Sequence, residues 1–321
     1  MTWRPRLKYG VVPRESGGPG TPQPLASAEA IVFTGCPAFA GHDSVGVASV
    51  LQPAESLEIF AANRATGRIA LQAVAQGGIT RRGRVHEDGS LRVRFPNSED
   101  ALEAVIVNTG GGMTGGDRFS VVLTVGEGAR LIAGTAAAEK IYRSTGPDAE
   151  MDVSLDVHAG GHLAWLPQET ILFDQARLNR RIDIDLAPDA SLIMAEAVVF
   201  GRAAMGEEVA EGLFADRWRL RRDGRLIFAD SARLDGAIAD KLGHRAIAAG
   251  GIAIASVLIA PGGDPETAAV RAGDYIGEVG ISAWNGIALA RLVAPDGSTL
   301  RRDLIAALAA LGTSVPRLWL Q

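Results

Sequence analysis

The feature that most restricts what this chain can fold into is a unit that recurs through its middle. Val125-Gly-Glu-Gly-Ala-Arg-Leu131, Val157-His-Ala-Gly-Gly-His-Leu163 and Leu186-Ala-Pro-Asp-Ala-Ser-Leu192 share one form: an alternating segment, a turn rich in Gly or Asp, a small residue, then a second apolar segment. The copies lie roughly 30 residues apart, the period of supersecondary units that stack and share a continuous core. Three similar hairpins would read the same way locally. Two arrangements therefore stay open, stacked antiparallel β-layers or β-helix-like repeats.

The flanking sequence agrees with a mainly β fold. Ser90 to Phe95, Ser120 to Val125, Met151 to Val157 and Arg181 to Leu186 alternate apolar and polar, so that Ile182, Ile184 and Leu186 share one face while Asp183 and Asp185 share the other. Asp88-Gly89, Asp223-Gly224 and Asp296-Gly297 read as hairpin turns, whose central residues need positive φ. About two short helices are expected, both in the C-terminal third. One starts at Asp264-Pro265-Glu266, with Asp264 as the cap, and the other runs from Arg302 to Leu311 ahead of Gly312.

Residues 1–56 break this pattern. Ser16-Gly-Gly-Pro-Gly-Thr-Pro-Gln-Pro24 has no periodicity, and such composition buries too little apolar surface to offset the entropy of ordering. The segment is expected to be a disordered tail or an extension from an upstream start codon, leaving 57–321 as a single β-rich domain. A secretion signal is disfavoured because Glu29 interrupts the only apolar stretch near Phe33-Thr34-Gly35-Cys36. The lone Cys36 excludes an internal disulfide and points to a reducing, cytoplasmic setting. No apolar run reaches the ~20 residues of a spanning helix. With 32 basic against 37 acidic residues, the net charge of −5 argues against nucleic acid as a partner.

Three segments carry candidate chemistry. Asn108 to Arg118 is glycine-rich and follows a strand, but a strand also follows it. A phosphate cradle needs a helix there, so the glycines are read as permitting close backbone approach and positive φ. Asp117 at its exit is either a functional carboxylate or a turn cap. In Thr135 to Ser144, Lys140, Tyr142 and Arg143 suit an anion or an interface. Trp165-Leu-Pro-Gln-Glu-Thr-Ile-Leu-Phe173 surrounds Glu169 with apolar bulk, which would raise its pKa. Glu196 and Asp230 are possible partners for it, although Glu196 could simply pair with Arg202. His158 and His162 flank a turn and lack a third ligand, so no resident metal site is expected.

Taken in order, Gly110-Gly111-Gly112 to Gly115-Gly116-Asp117, Thr135 to Ser144, Trp165 to Phe173, and Glu196 to Gly201-Arg202 resemble the urease accessory protein UreD family, called UreH in some organisms. Pro316-Arg317-Leu318-Trp319 is similar to that family's ending, and the resemblance runs from about Leu57 to Gln321. It implies a largely β fold and a non-catalytic chaperone that binds apo-urease and, with UreF and the GTPase UreG, supports nickel delivery. It further implies no tightly bound cofactor, nickel(II) being transient cargo. The carboxylates Asp117, Glu196 and Asp230, with Glu169, are the expected lining of a passage for the ion. Carboxylates suit that task because thiolates or a full imidazole set would hold nickel too tightly. Tyr142, Arg143 and Trp165 are the expected partner contacts. The competing reading is a phosphate- or carbohydrate-handling β-rich enzyme that uses paired carboxylates, with Glu169 and Glu196 flanking a scissile bond. A plain structural β-repeat is the third.

Overall fold

In the segments that alternate, every second side chain is removed from water, and the structure stacks those segments in parallel. The computed structural model describes residues 64–98, 101–202, 205–313 and 315–320. The expected 1–56 extension and Cys36 lie outside the described residues. Two sheets face each other. The first has the order β14 (Arg225–Ala237), β13 (Glu211–Arg222), β11 (Arg177–Leu186), β8 (Ala149–Val157), β5 (Arg118–Val125), β1 (Thr66–Gln76), β2 (Ile79–Gly89), and the second the order β16 (Glu278–Trp284), β17 (Ile287–Ala294), β15 (Ala253–Ala260), β12 (Ser191–Phe200), β9 (His162–Trp165), β6 (Arg130–Thr135), β4 (Leu102–Asn108), β3 (Leu91–Arg94). Strands β5 (Arg118–Val125), β8 (Ala149–Val157), β11 (Arg177–Leu186) and β13 (Glu211–Arg222) run parallel through the first sheet. Strands β4 (Leu102–Asn108), β6 (Arg130–Thr135), β9 (His162–Trp165) and β12 (Ser191–Phe200) run parallel through the second.

The chain passes from one sheet to the other at each recurring unit, so these units are corners of a β-solenoid of about four turns and not hairpins. Corner 126–129 joins β5 to β6, corner 158–161 joins β8 to β9, and corner 187–190 joins β11 to β12. The small residue of the motif sits inside each bend: Ala129, Gly161 and Ala190 are all buried. A Cβ on Gly161 would lie 2.8 Å from the His158 carbonyl oxygen, which explains the restriction at that corner. A short third side is formed by Met113, β7 (Glu139–Ile141), β10 (Thr170–Leu172) and the end of β12, with Ile141, Leu172 and Phe200 in register.

Register turns sequence alternation into columns. Ile69 of β1 (Thr66–Gln76) pairs with Val121, Val121 with Val153, Val153 with Ile182, and Ile182 with Trp218. Stacked side chains of this kind form the first core, between the sheets. A second core lies on the outer face of the second sheet, where Ile193, Ala195 and Ala197 meet Leu300, Leu304 and Leu308. Those leucines belong to helix α3 (Gly297–Ala310), which with α1 (Ile238–Gly243) and α2 (Asp264–Arg271) makes three helices among the described residues, all in the C-terminal third.

Antiparallel pairing is confined to the two ends of the solenoid. Strand β1 pairs with β2 (Ile79–Gly89), β13 with β14 (Arg225–Ala237), and β15 (Ala253–Ala260) and β16 (Glu278–Trp284) each with β17 (Ile287–Ala294). Asp223-Gly224 is the expected hairpin turn, with φ of 50° and 70°. Asp296-Gly297 is not: Asp296 caps α3 by accepting from the Thr299 amide at 2.8 Å, so the helix begins five residues before the expected Arg302. Asp88-Gly89 carries the chain from β2 in one sheet to β3 (Leu91–Arg94) in the other. The cap of α2 is Gly263, one residue before the expected Asp264, with Glu266 accepting from its amide at 2.8 Å.

Candidate functional site

The column that contains Phe119 and Met151 in the early coils continues into Arg180 and then Asp216. Two inward-facing slots that hold apolar side chains in one half of the solenoid therefore hold charges in the other half. Arg180 is 2 % exposed. Its Nε and Nη2 donate to the two carboxylate oxygens of Asp216 at 3.0 and 2.6 Å, and its Nη1 donates to Glu196 Oε2 of the facing sheet at 2.5 Å. The Trp165 indole N–H donates to Glu196 Oε1 at 2.7 Å, and the Trp218 indole N–H donates to Asp216 at 2.9 Å.

A buried ion cluster persists only when its hydrogen bonds replace the lost water, and here each of the four carboxylate oxygens accepts at least one. Burial alone would lower the Arg180 pKa, but the charges of Asp216 and Glu196 outweigh it, so the guanidinium stays protonated. Burial pushes the Glu196 carboxyl above its ordinary value, against the pull of Arg180. The cluster ties the two sheets together across the core.

Beside it lies a cavity of about 40 Å³, lined by apolar side chains that include Leu91, Phe119, Val121, Met151 and Val153 and by the polar residues Thr135, Glu139, Gln168, Thr170, Arg180 and Glu196. A water molecule needs roughly 10–15 Å³, so about 40 Å³ has room for about three. Glu139 accepts from Asn108 Nδ2 at 2.8 Å. Burial pushes its carboxyl up to about 7, with the Asn108 hydrogen bond opposing and the nearby Asp117 charge reinforcing the shift.

The sequence-expected carboxylates are not gathered around this cavity; only Glu196 lines it. Asp117 accepts from the Ala65 amide at 2.8 Å with one oxygen and from the Thr114 amide at 2.8 Å with the other, which is the turn-capping arrangement. Glu169 is clamped by Arg301 through Nε at 2.7 Å and Nη2 at 2.5 Å, joining the 166–169 segment to α3. The C-terminal turn Arg317–Leu320 closes over the same segment, Trp319 donating its indole N–H to the Leu166 carbonyl at 3.1 Å. Asp230 lies toward the surface and pairs with Arg291 at 2.8 Å. Arg202 does not pair with Glu196; it bonds Glu207 at 2.6 Å and stacks 4.3 Å over the Phe173 ring.

Of the expected contact residues, Tyr142 and Arg143 are exposed. Tyr142 packs edge-on to Phe173 at 4.9 Å. Trp165 is a correction: at 3 % exposure, with its indole committed to Glu196, it offers no surface to a partner. The glycine loop does what was expected of it: a Cβ on Gly115 would lie 1.9 Å from Ser144 Oγ, and one on Gly112 would lie 2.4 Å from the Tyr142 ring. Among the described residues, no group of three or more His, Cys, Asp or Glu side chains is arranged to hold a metal ion, and no helix is long and apolar enough to cross a membrane.

Comparison with known proteins accounts for this architecture. The family model described as UreD urease accessory protein matches residues 65–320. The chain belongs to the UreD urease accessory protein family. It is 59 % identical over 266 residues to the urease accessory protein UreD of Rhodopseudomonas palustris strain HaA2, covering 82 % of this chain and 95 % of that protein. It is 55 % identical over 265 residues to that of Bradyrhizobium diazoefficiens, covering 82 % of this chain and 96 % of the relative. As a UreD-family member the chain is a non-catalytic chaperone that functions in urease maturation, the assembly of urease's nickel site. The paired-carboxylate enzyme reading is thereby set aside; Glu169 and Glu196 are each neutralised by an arginine.

Proposed function

We propose that this chain acts in the cytoplasm, in a complex with UreF, UreG and apo-urease, and that nickel(II) reaches urease by way of its interior. The observation that carries this reading is the cavity between the sheets, whose mostly apolar wall is interrupted by the polar groups of Thr135, Glu139, Gln168, Thr170 and Glu196. Hydroxyl, amide and carboxylate oxygens exchange a divalent ion quickly, which suits cargo better than storage. We place Glu196 on the ion's route. Asp117, Glu169 and Asp230 shape the walls by holding the loop 114–117, the C-terminal helix and β14. Tyr142 and Arg143, exposed on the third side, are the proposed partner contacts.

The test is co-expression of the full chain with a urease operon that lacks this gene, with the other accessory proteins and nickel supplied. Urea hydrolysis and urease nickel content should be restored. Glu196→Gln, which keeps the Trp165 hydrogen bond and the side-chain volume, should assemble the same complex yet deliver less nickel. Full delivery by Glu196→Gln would remove Glu196 from the route. No rescue by the unaltered chain would overturn the reading as a whole.

A further inference from the structure

Strand β2 is the outermost strand of the first sheet, and its free edge has no partner among the described residues. It is 11 residues long, and ten of those are exposed. A long open edge offers a row of backbone N–H and C=O groups to any extended chain. The edge is also chemically distinctive. In a protein of net charge −5, the stretch Arg81-Arg82-Gly83-Arg84-Val85-His86 carries three arginines and a histidine.

Pairing with β1 assigns these side chains to faces. Arg81 is opposite Val74 and His86 opposite Ala70 on the outer face, whereas Arg82 is opposite Ala73 and Val85 opposite Leu71 on the inner face. A register shift between Leu71 and Ala73 lets Arg84 join His86 in an outer groove floored by Val122 and Thr124. The inner groove is lined by Val85, Val93 and Phe95, with Arg82 stacked 5.4 Å from the Phe95 ring. The outer side of the edge thus carries Arg84 and His86, and the inner side sets Val85, Val93 and Phe95 among the charged Arg82, Glu87 and Arg94.

We propose that β2 is a docking edge for an extended acidic segment of a partner protein, which adds to the sheet as a further strand. Its carboxylates lie toward Arg81, Arg84 and His86, and its alternate apolar side chains lie toward Val85 and Phe95. Charge favours such an occupant: Arg81, Arg84 and His86 share the outer face, so a partner's carboxylates meet three basic groups in succession there, with Asp88 lying beyond them opposite Arg68.

The test uses the full chain and a labelled ten-residue peptide of alternating glutamate and valine, followed by fluorescence anisotropy. Three controls accompany it: lysine in place of glutamate, N-methylation of alternate peptide amides, and the exposed-site variant Arg81→Glu/Arg84→Glu. Saturable binding is expected for the acidic peptide, weakening by at least about tenfold in each control and with added salt. Equal binding of the N-methylated peptide would reduce the site to simple charge attraction and overturn strand addition. No binding of the acidic peptide would mean that the arginines only guard the edge against association. Concentration-dependent dimerisation abolished by Arg81→Glu/Arg84→Glu would assign the edge to a second copy instead. None of these outcomes depends on nickel delivery.

Discussion

Replacing Glu139 by glutamine should stabilise the protein at alkaline pH and change little at acid pH. The carboxyl faces the interior cavity, where burial raises its pKa from 4.5 to about 7. A folded-state pKa above the unfolded value means that the folded protein binds the proton more tightly. The group is then neutral in both states well below pH 4.5, and its ionisation costs folding free energy progressively as pH rises through about 7, levelling off beyond. At about 1.4 kcal/mol per pKa unit the full penalty is about 3.5 kcal/mol, an upper figure because the side chain is partly exposed. Glutamine keeps the volume and still offers an oxygen to Asn108 Nδ2, but it has no charge to desolvate.

Urea denaturation at two pH values reads this directly. At about pH 4.5 the variant should gain only a few tenths of a kcal/mol, and at about pH 8 between about 1 and 3. A gain of equal size at both pH values would trace the effect to something other than ionisation. A loss at pH 8 would show that the carboxylate is worth more to the fold than its desolvation costs, and either result refutes the reasoning.

Removing Arg180 as Arg180→Met should cost about 3–5 kcal/mol in thermal or urea unfolding, because Glu196 and Asp216 are left buried without their cation; a loss below about 1 would mean that water reaches the cluster. Gly115→Ala should destabilise by about 1–3 kcal/mol, since the added methyl meets both Ser144 Oγ and the Pro147 carbonyl, whereas Gly110→Ala, whose nearest neighbour is 3.2 Å away, should change stability little under the same assay. Asp296→Ala should cost about 1 kcal/mol in chemical denaturation through loss of the α3 cap, and Asp296→Asn should recover most of it.

The solenoid was legible where one rule set both sequence and structure. Alternation marked the faces of β5, β8 and β11, and the small residue of the repeat marked Ala129, Gly161 and Ala190 inside the corners. Pairing sense was not legible, because a four-residue turn rich in glycine serves a hairpin and a solenoid corner equally well. Only the in-register match of Val121, Val153 and Ile182 across coils distinguishes them. Asp296-Gly297 misled for a related reason: aspartate before glycine suits a tight turn, and aspartate also caps a helix whenever amides two or three residues on point back at it.

Arg180 and Asp216 show where the reading of the site stopped short, and the signal was present. Leu178, Arg180, Ile182, Ile184 and Leu186 share one parity in β11, as do Phe214, Asp216, Trp218 and Leu220 in β13. A charge at an inward position in one strand looks like a flaw in the pattern, but opposite charges at inward positions of successive repeats are a pair. The charge clusters and the parity were each visible, yet only stacking says that position 180 lies over 216. Glu139 was hidden differently, since β7 spans only three residues and shows no period, so nothing in its local sequence separates a cavity wall from a wet edge. The cavity therefore arises from packing between coils: Thr135, Glu139, Gln168 and Thr170 come from two consecutive passes of the chain along the third side and its approach. A single substitution on either pass should alter the lining that the other contributes, which is why Thr135→Val and Thr170→Val are expected to be non-additive in urea denaturation by more than about 0.5 kcal/mol. Additive losses would mean that the two hydroxyls face separate spaces.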